Sequence, residues 1–157
     1  MRIFLSSTYE DLVVHRRIVE HSFAISGIDY NAMEHFASTP RPPIQTCLNA
    51  VRASDVFVGV LGVRYGGSPT GRQRSYTERE YRLAKSLAIP ILMFLIDMRN
   101  ASVPPALISD ETPQQQEKLR DLKEFVLRQH TVTFFTTPED LARLVLASVI
   151  REFGVSF

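Results

Sequence analysis

Five short apolar runs alternate with five amphipathic stretches along this chain, and that alternation constrains the fold more than any other feature. Arg2-Ile3-Phe4-Leu5 stops at Ser6-Ser7-Thr8. The recurrence of Leu12, Val19 and Phe23 predicts a helix from about Tyr9 to Ser26, with Thr8 as its cap, Asp11 three positions on, and Gly27 closing it. Ile28 to Met33 reads as a second strand, and Glu34 to Pro43, with three prolines, as a loop. A helix begins at Pro43 or Ile44 and runs through Arg52, with Ile44, Leu48 and Val51 on one face. Asp55 to Leu61 is almost continuously apolar, as expected for a central parallel strand buried on both faces. The loop Gly62 to Arg74, a helix from Tyr76 to about Ala88 and a strand from Ile89 to Ile96 follow. A second loop covers Asp97 to Glu111. Thr112-Pro113 then opens a helix to about Gln129, Thr131 to Phe135 makes a fifth strand, and Thr137-Pro138 opens a last helix to about Phe153.

Strand-helix alternation implies a parallel sheet with helices on both faces, joined by right-handed crossovers. Five strands predict a flavodoxin-like α/β three-layer sandwich in the order 2-1-3-4-5, formed by residues 1–157 as a single domain. In such a sheet ligands bind beyond the carboxyl ends of the strands, near the switch between strands 1 and 3. Ser6-Ser7-Thr8, the Gly62–Arg74 loop and the start of the following helix all fall at that end.

Composition excludes several classes of function. With 18 basic and 17 acidic residues the net charge is +1, so no overall field draws the chain to nucleic acid or anionic lipid. Cys47 is the one cysteine, which excludes an intramolecular disulfide and a cysteine zinc site. His15, His21, His35 and His130 lack metal-ligand spacing. Ile89 to Ile96 is far short of the ~20 residues that span a bilayer, and Met1-Arg2 leads into a strand rather than a secretory leader. A cytoplasmic setting, with neither membrane nor nucleic-acid partner and no metal, is expected.

The chemistry-bearing constellation is Gly62-Val63-Arg64-Tyr65-Gly66-Gly67 followed by Ser75-Tyr76-Thr77-Glu78-Arg79-Glu80-Tyr81. The glycines permit close backbone approach, and Arg64, Arg72 and Arg74 offer bidentate contacts to phosphate. Glu78, in the first turn of its helix, is placed to stabilise or attack a developing cation at a sugar C1. Each feature also has a plain structural explanation. Ser75-x-x-Glu78 is a capping box, Glu78 and Arg82 are spaced as an i,i+4 pair, and the arginines interleave with Glu78 and Glu80 as a solvated surface would. Ser6-Ser7-Thr8 suits phosphate or ribose oxygens, and equally suits any helix start. His35 and Cys47 read as a satisfied histidine and a small buried cysteine, and Phe94, Phe134 and Phe135 as core.

Three motifs in order, Phe4-Leu5-Ser6-Ser7-Thr8-Tyr9-Glu10-Asp11-Leu12, Gly62-x-Arg64-Tyr65-Gly66 and Ser75-Tyr76-Thr77-Glu78-x-Glu80-Tyr81, resemble a known family. They are similar to the TIR-like domains of the F-x-S-S-T-x-x-D-L type found at the N-termini of STAND/NACHT-class signalling ATPases and repeat proteins. The likeness covers about residues 2 to 96, and the final third matches by element pattern only. The wider group includes TIR domains, which cleave nicotinamide from NAD, and nucleoside deoxyribosyltransferases, which exchange a nucleobase. Their shared feature is a Glu after the central loop, which by motif position corresponds to Glu78.

The resemblance implies a defence or immune-type effector that cleaves the N-glycosidic bond of NAD, taken as substrate with no further cofactor. Glu78 would act at C1, with Ser6, Ser7, Thr8, Arg64, Tyr65, Gly66, Tyr76, Thr77 and Tyr81 binding substrate. Nicotinamide leaves from NAD as a ring that is already cationic, so one carboxylate suffices. An ordinary glycoside needs a second carboxyl group as acid, and the loop offers none beyond Glu80 and the distant Glu10, Asp11 and Glu34. The resemblance also implies self-association and fusion to, or binding of, an ATPase or repeat module. The alternatives are a non-catalytic signalling or self-association module of the same fold and a deoxyribosyltransferase-like enzyme.

Overall fold

The computed structural model of the chain describes residues 1–32, 43–69 and 74–154. Five parallel strands, β1 (Arg2–Ser7), β2 (Asp29–Ala32), β3 (Val56–Leu61), β4 (Ile91–Ile96) and β5 (Thr133–Phe135), form one sheet in the order β2-β1-β3-β4-β5. The helices are α1 (Val13–Ile25), α2 (Ile44–Arg52), α3 (Tyr76–Ser86), α4 (Pro105–Ser109), α5 (Pro113–Gln129) and α6 (Pro138–Phe153). The flavodoxin-like order expected from the alternation is the one observed.

The pleat sorts the strand residues into two cores. Ile3, Leu5, Val56, Val58, Val60, Phe94, Ile96 and Phe135 face α1 and α6, where Val19, Phe23, Leu141, Val145 and Val149 cover them. Phe4, Phe57, Leu61, Met93 and Leu95 face α2, α3 and α5, meeting Val51, Tyr81, Leu119, Leu122 and Val126. Every residue of β3 is buried, because its neighbours and the helices on both faces leave it no solvent side. The register pairs Ser6 with Gly59 and Ser7 with Val60, so the two serines of β1 lie at the carboxyl edge of the sheet, beside the end of β3.

Several boundaries differ from expectation for identifiable reasons. The first helix begins at Val13 rather than Tyr9, and its N-cap Leu12 makes no side-chain cap bond. Thr8 instead bonds the Asp11 carboxylate, which is itself turned toward the loop after β3. The helix after that loop ends at Ser86, because Ala88 takes a positive φ of 55° and the Ile89 N–H returns to Ala84. The fourth strand therefore starts at Ile91. The second strand occupies Asp29–Ala32, the fifth only Thr133–Phe135, and the loop after β4 contains the short α4. Phe134 is 52 % exposed, contrary to its expected place in the core, since the pleat of this edge strand turns it to the side opposite Phe135. Most of the Glu34–Pro43 loop, with His35, lies outside the described residues, as does Arg72. Among the described residues no helix is long and apolar enough to cross a membrane.

Tyr81 is 1 % exposed, and its hydroxyl meets His130 Nε2 at 2.8 Å across the α3–α5 contact. Removing the hydroxyl in Tyr81→Phe is expected to lower unfolding stability by about 1 kcal/mol without altering the fold. Denaturant unfolding followed by circular dichroism checks this; an unchanged midpoint would show that the bond contributes nothing.

Candidate functional site

Two carboxylates build the loop after β3. Asp11 Oδ2 accepts the N–H groups of Val63 at 2.9 Å and Arg64 at 3.1 Å. Glu111, 5 % exposed, takes the next two: Tyr65 N–H donates to Oε1 at 2.6 Å and Gly66 N–H to Oε2 at 3.1 Å. Four consecutive amides thus converge on the chain's own acidic groups, in the manner of a backbone nest that holds an anion. The turn requires glycine at Gly66, where φ is +86° and a Cβ would stand 2.8 Å from Thr8 Cγ2. Arg64 is tied down as well. Its Nη2 lies 3.0 Å from Glu10 Oε2, and its Nη1 donates to the Leu107 carbonyl at 3.0 Å.

The start of α3 is a capping box with a tyrosine inserted. Ser75 Oγ accepts the Glu78 N–H at 3.1 Å, the first half of the box. The second half is absent, because the Ser75 N–H donates to Tyr65 Oη at 3.1 Å and Tyr65 in turn donates to Glu78 Oε1 at 2.8 Å. The other oxygen, Glu78 Oε2, lies 2.6 Å from Arg82 Nε and 3.3 Å from Arg74 Nε. The buried Glu78 carboxylate therefore has a phenol on one oxygen and two guanidinium groups on the other. The expected i,i+4 pair with Arg82 is present.

Two positions on, the helix turns a second carboxyl group into the protein. Thr77, Glu80, Tyr81 and Ala84 form the buried stripe of α3, and Glu80 has no accessible surface at all. Ser6 Oγ donates to Glu80 Oε1 at 2.8 Å, while Oε2 has no hydrogen-bond partner among the described residues. Burial pushes the Glu80 carboxyl up to about 7, against the opposing effects of the Ser6 bond and the Arg16 charge. Cys47 of α2 is fully buried, and its thiol is pushed up to about 12 by burial and by the Glu80 charge. On the other face of β1, Arg16 Nη1 donates to Ser7 Oγ at 2.7 Å. Glu80 therefore does not belong to a solvated surface, as the interleaving of charges suggested. The signal for it lay in the i, i+3, i+4, i+7 spacing of Thr77, Glu80, Tyr81 and Ala84, which puts a charge on the core-facing stripe.

The remaining expected site residues divide between edge and core. Ser6, Ser7 and Thr8 are buried at the end of β1, Thr8 against Asp11 and Ser7 donating to the Thr8 carbonyl. The Tyr76 N–H closes the loop onto the Gly67 carbonyl at 3.1 Å, and Thr77 is buried on the stripe. Tyr81 is buried in the core against Phe57, its hydroxyl bonded to His130. A separate cleft of about 410 Å³ opens on the α1–α6 face between His15, Val63, Val103, Leu107 and Thr136; neither Glu78 nor Glu80 lines it. Among the described residues no group of three or more His, Cys, Asp or Glu side chains is placed to hold a metal ion.

Residues 2–149 match the family described as "Domain of unknown function (DUF4062)", and the chain belongs to it. Among solved structures it is similar to a flavodoxin-like domain from Synechococcus, at 12 % identity over 93 % of this chain and 98 % of that one, with a TM-score of 0.36. It is also similar to a diflavin flavoprotein A3 from Nostoc, at 10 % identity over 96 % of both chains, with a TM-score of 0.37. The strand order described above, and not these distant likenesses, carries the assignment of the fold.

Asp11→Ala strands the Val63 and Arg64 amides and is expected to destabilise the chain by about 2–3 kcal/mol, with amide exchange accelerated at those two residues. Glu80 titrates near 4.5 when unfolded and at about 7 when folded. Between these values the folded chain retains a proton that the unfolded chain has released, so this contribution to stability is complete below the lower value and is lost as pH rises through the upper one. Glu80→Gln removes that slope and is expected to be more stable than wild type at pH 8, by on the order of 3 kcal/mol, while matching it near pH 4. Unfolding midpoints of the two proteins across this range check the sign; parallel curves would refute it.

Proposed function

We propose that this member of the DUF4062 family is a TIR-like effector module that cleaves the N-glycosidic bond of NAD or a related nucleotide, and that Glu80 is the reacting carboxylate. The observation that carries the reading is the fully buried Glu80 carboxyl group, held by Ser6 through one oxygen and without a partner at the other among the described residues. Such a group lowers stability, and in a switch-point setting it is the mark of a site kept for chemistry. Glu78, which the motif position alone favours, has both oxygens bonded to Tyr65, Arg74 and Arg82 and is better suited to fixing the start of α3.

In the proposed reaction the C1–N bond of the nicotinamide riboside unit breaks, and its electron pair neutralises the departing ring. Ionised Glu80 stabilises the cationic C1 that remains. Water then adds at C1 and passes a proton to the Glu80 carboxylate, which releases it to solvent before the next turnover, and Ser6 holds the carboxyl group throughout by donating to Oε1. No acid is needed for departure, which suits a site with one carboxyl group free to react. Complete burial of Glu80 in the resting chain supports a module that is latent until assembly with further copies, or with an ATPase or repeat module, opens the edge of the sheet.

A non-catalytic signalling or self-association module is the second reading, favoured by the loop itself. The amides of Val63 to Gly66 and the Arg64 side chain are bound to Asp11, Glu111, Glu10 and Leu107, so these groups are not free to cradle a phosphate. The deciding experiment measures nicotinamide release from NAD by the chain at high concentration and fused to an oligomerising scaffold. Wild type is expected to release nicotinamide, Glu80→Gln to lose at least a hundredfold in rate, and Glu78→Gln, where folded, to stay within tenfold. Loss in Glu78→Gln alone would return the role to Glu78. No release by clustered wild type would leave the self-association module as the function.

A further inference from the structure

Arg16 and Glu80 are buried on opposite faces of the sheet, 3 % and 0 % exposed, and reach adjacent residues of one strand. From α1, Arg16 Nη1 donates to Ser7 Oγ at 2.7 Å and to the Ser7 carbonyl at 3.3 Å. From the other side, Ser6 Oγ donates to Glu80 Oε1 at 2.8 Å. β1 lies between β2 and β3, so only protein separates the two groups, and charges act over longer distances there than across water. Arg16 also has a carboxylate on its own helix, Glu20, at 3.9 Å.

We propose that Arg16 is a positioning residue for Glu80, acting through the Ser6–Ser7 dipeptide: it fixes the end of β1 from which Ser6 grips the carboxyl group, and places a positive charge on the far side of that strand. The inference rests on the reading of Glu80 as the reacting carboxylate, whose ionised form the chemistry requires. Among the described residues, the groups facing Glu80 from neighbouring elements are Ser6 of β1, Cys47 of α2 and, across the strand, Arg16 of α1. On α3 itself Tyr81 points into the core, and Glu78 is engaged by Tyr65, Arg74 and Arg82. Arg16 is therefore the cation whose field Glu80 feels, and burial is the effect it opposes.

The test follows the Glu80 carboxyl carbon by NMR across pH in the folded chain, with the resonance assigned by its disappearance in Glu80→Gln. It reads protonation and not turnover, so its failure is distinct from failure to cleave NAD. Arg16→Met is expected to move the Glu80 midpoint to higher pH by up to about a unit, at most about tenfold in proton affinity, and Arg16→Lys to restore most of the shift. Glu20→Gln, at a partly exposed position, leaves Arg16 with less competing charge and is expected to move the midpoint to lower pH; this variant keeps the test available if Arg16→Met fails to fold. A midpoint unchanged in folded Arg16→Met, or unchanged in Glu20→Gln where Arg16→Met does not fold, would overturn the proposal.

Discussion

Asp11 joins the two strand ends on which the geometry of the site depends. It lies a few residues beyond the end of β1, bonds Thr8 on its own side, and accepts the amides of Val63 and Arg64 on the other. Without it, the loop after β3 would lose its attachment to the first strand, and Tyr65 would lose the position from which it reaches Glu78 and Ser75. The same carboxylate explains why α1 starts late. A residue whose side chain accepts long-range amides is not free to serve the first turn of its own helix, and Thr8, bonded to it, is not free to cap. A parallel sheet covered on both faces leaves polar chemistry only at its strand ends, and here that edge is organised around acidic side chains.

Four carboxyl groups near this edge meet different fates, and the partners decide which. Asp11 and Glu111 each collect two backbone amides, hydrogen bonds strengthened by the carboxylate charge. Glu78 collects a phenol and two guanidinium groups. Glu80 collects one serine hydroxyl and the more distant field of Arg16. Three of the four are matched to their surroundings by direct contacts. The fourth is not, and its proton affinity rises because burial outweighs one hydroxyl and a charge across a strand.

The fold was legible in the sequence because its signals are local and repeated. Asp55 to Leu61 announces a strand buried on both faces, Thr112-Pro113 and Thr137-Pro138 announce helix starts, and alternation fixes the parallel topology. The site was legible only in part, because its decisive contacts are long-range. Glu111 reaches Tyr65 and Gly66 from 46 and 45 residues away, out of a stretch that reads as plain loop. The inserted Tyr65 hydroxyl converts a capping box into a Tyr–Glu–Arg cluster, an arrangement no spacing rule anticipates. Glu80 is the instructive case. The motif drew attention to its neighbour, whereas the buried face of the same helix, readable from Thr77, Tyr81 and Ala84, already placed Glu80 toward β1.

Burial and ionisation of Glu80 are linked by one equilibrium. Sealed inside the fold, the carboxyl group holds its proton up to about neutral pH, and in that form it costs the core least. A rearrangement that admits water, or a cationic ribosyl group, removes the desolvation that raised its proton affinity and releases the proton. Opening the edge and creating the ionised carboxylate are then the same event seen from two sides, each favouring the other by the same free energy. Under the function proposed above, a closed resting chain keeps its carboxyl group neutral and inert, and assembly supplies access and charge together. The Ser6 hydroxyl and, less strongly, the charge of Arg16 oppose burial, so ionisation stays within reach of neutral pH instead of being suppressed by burial alone.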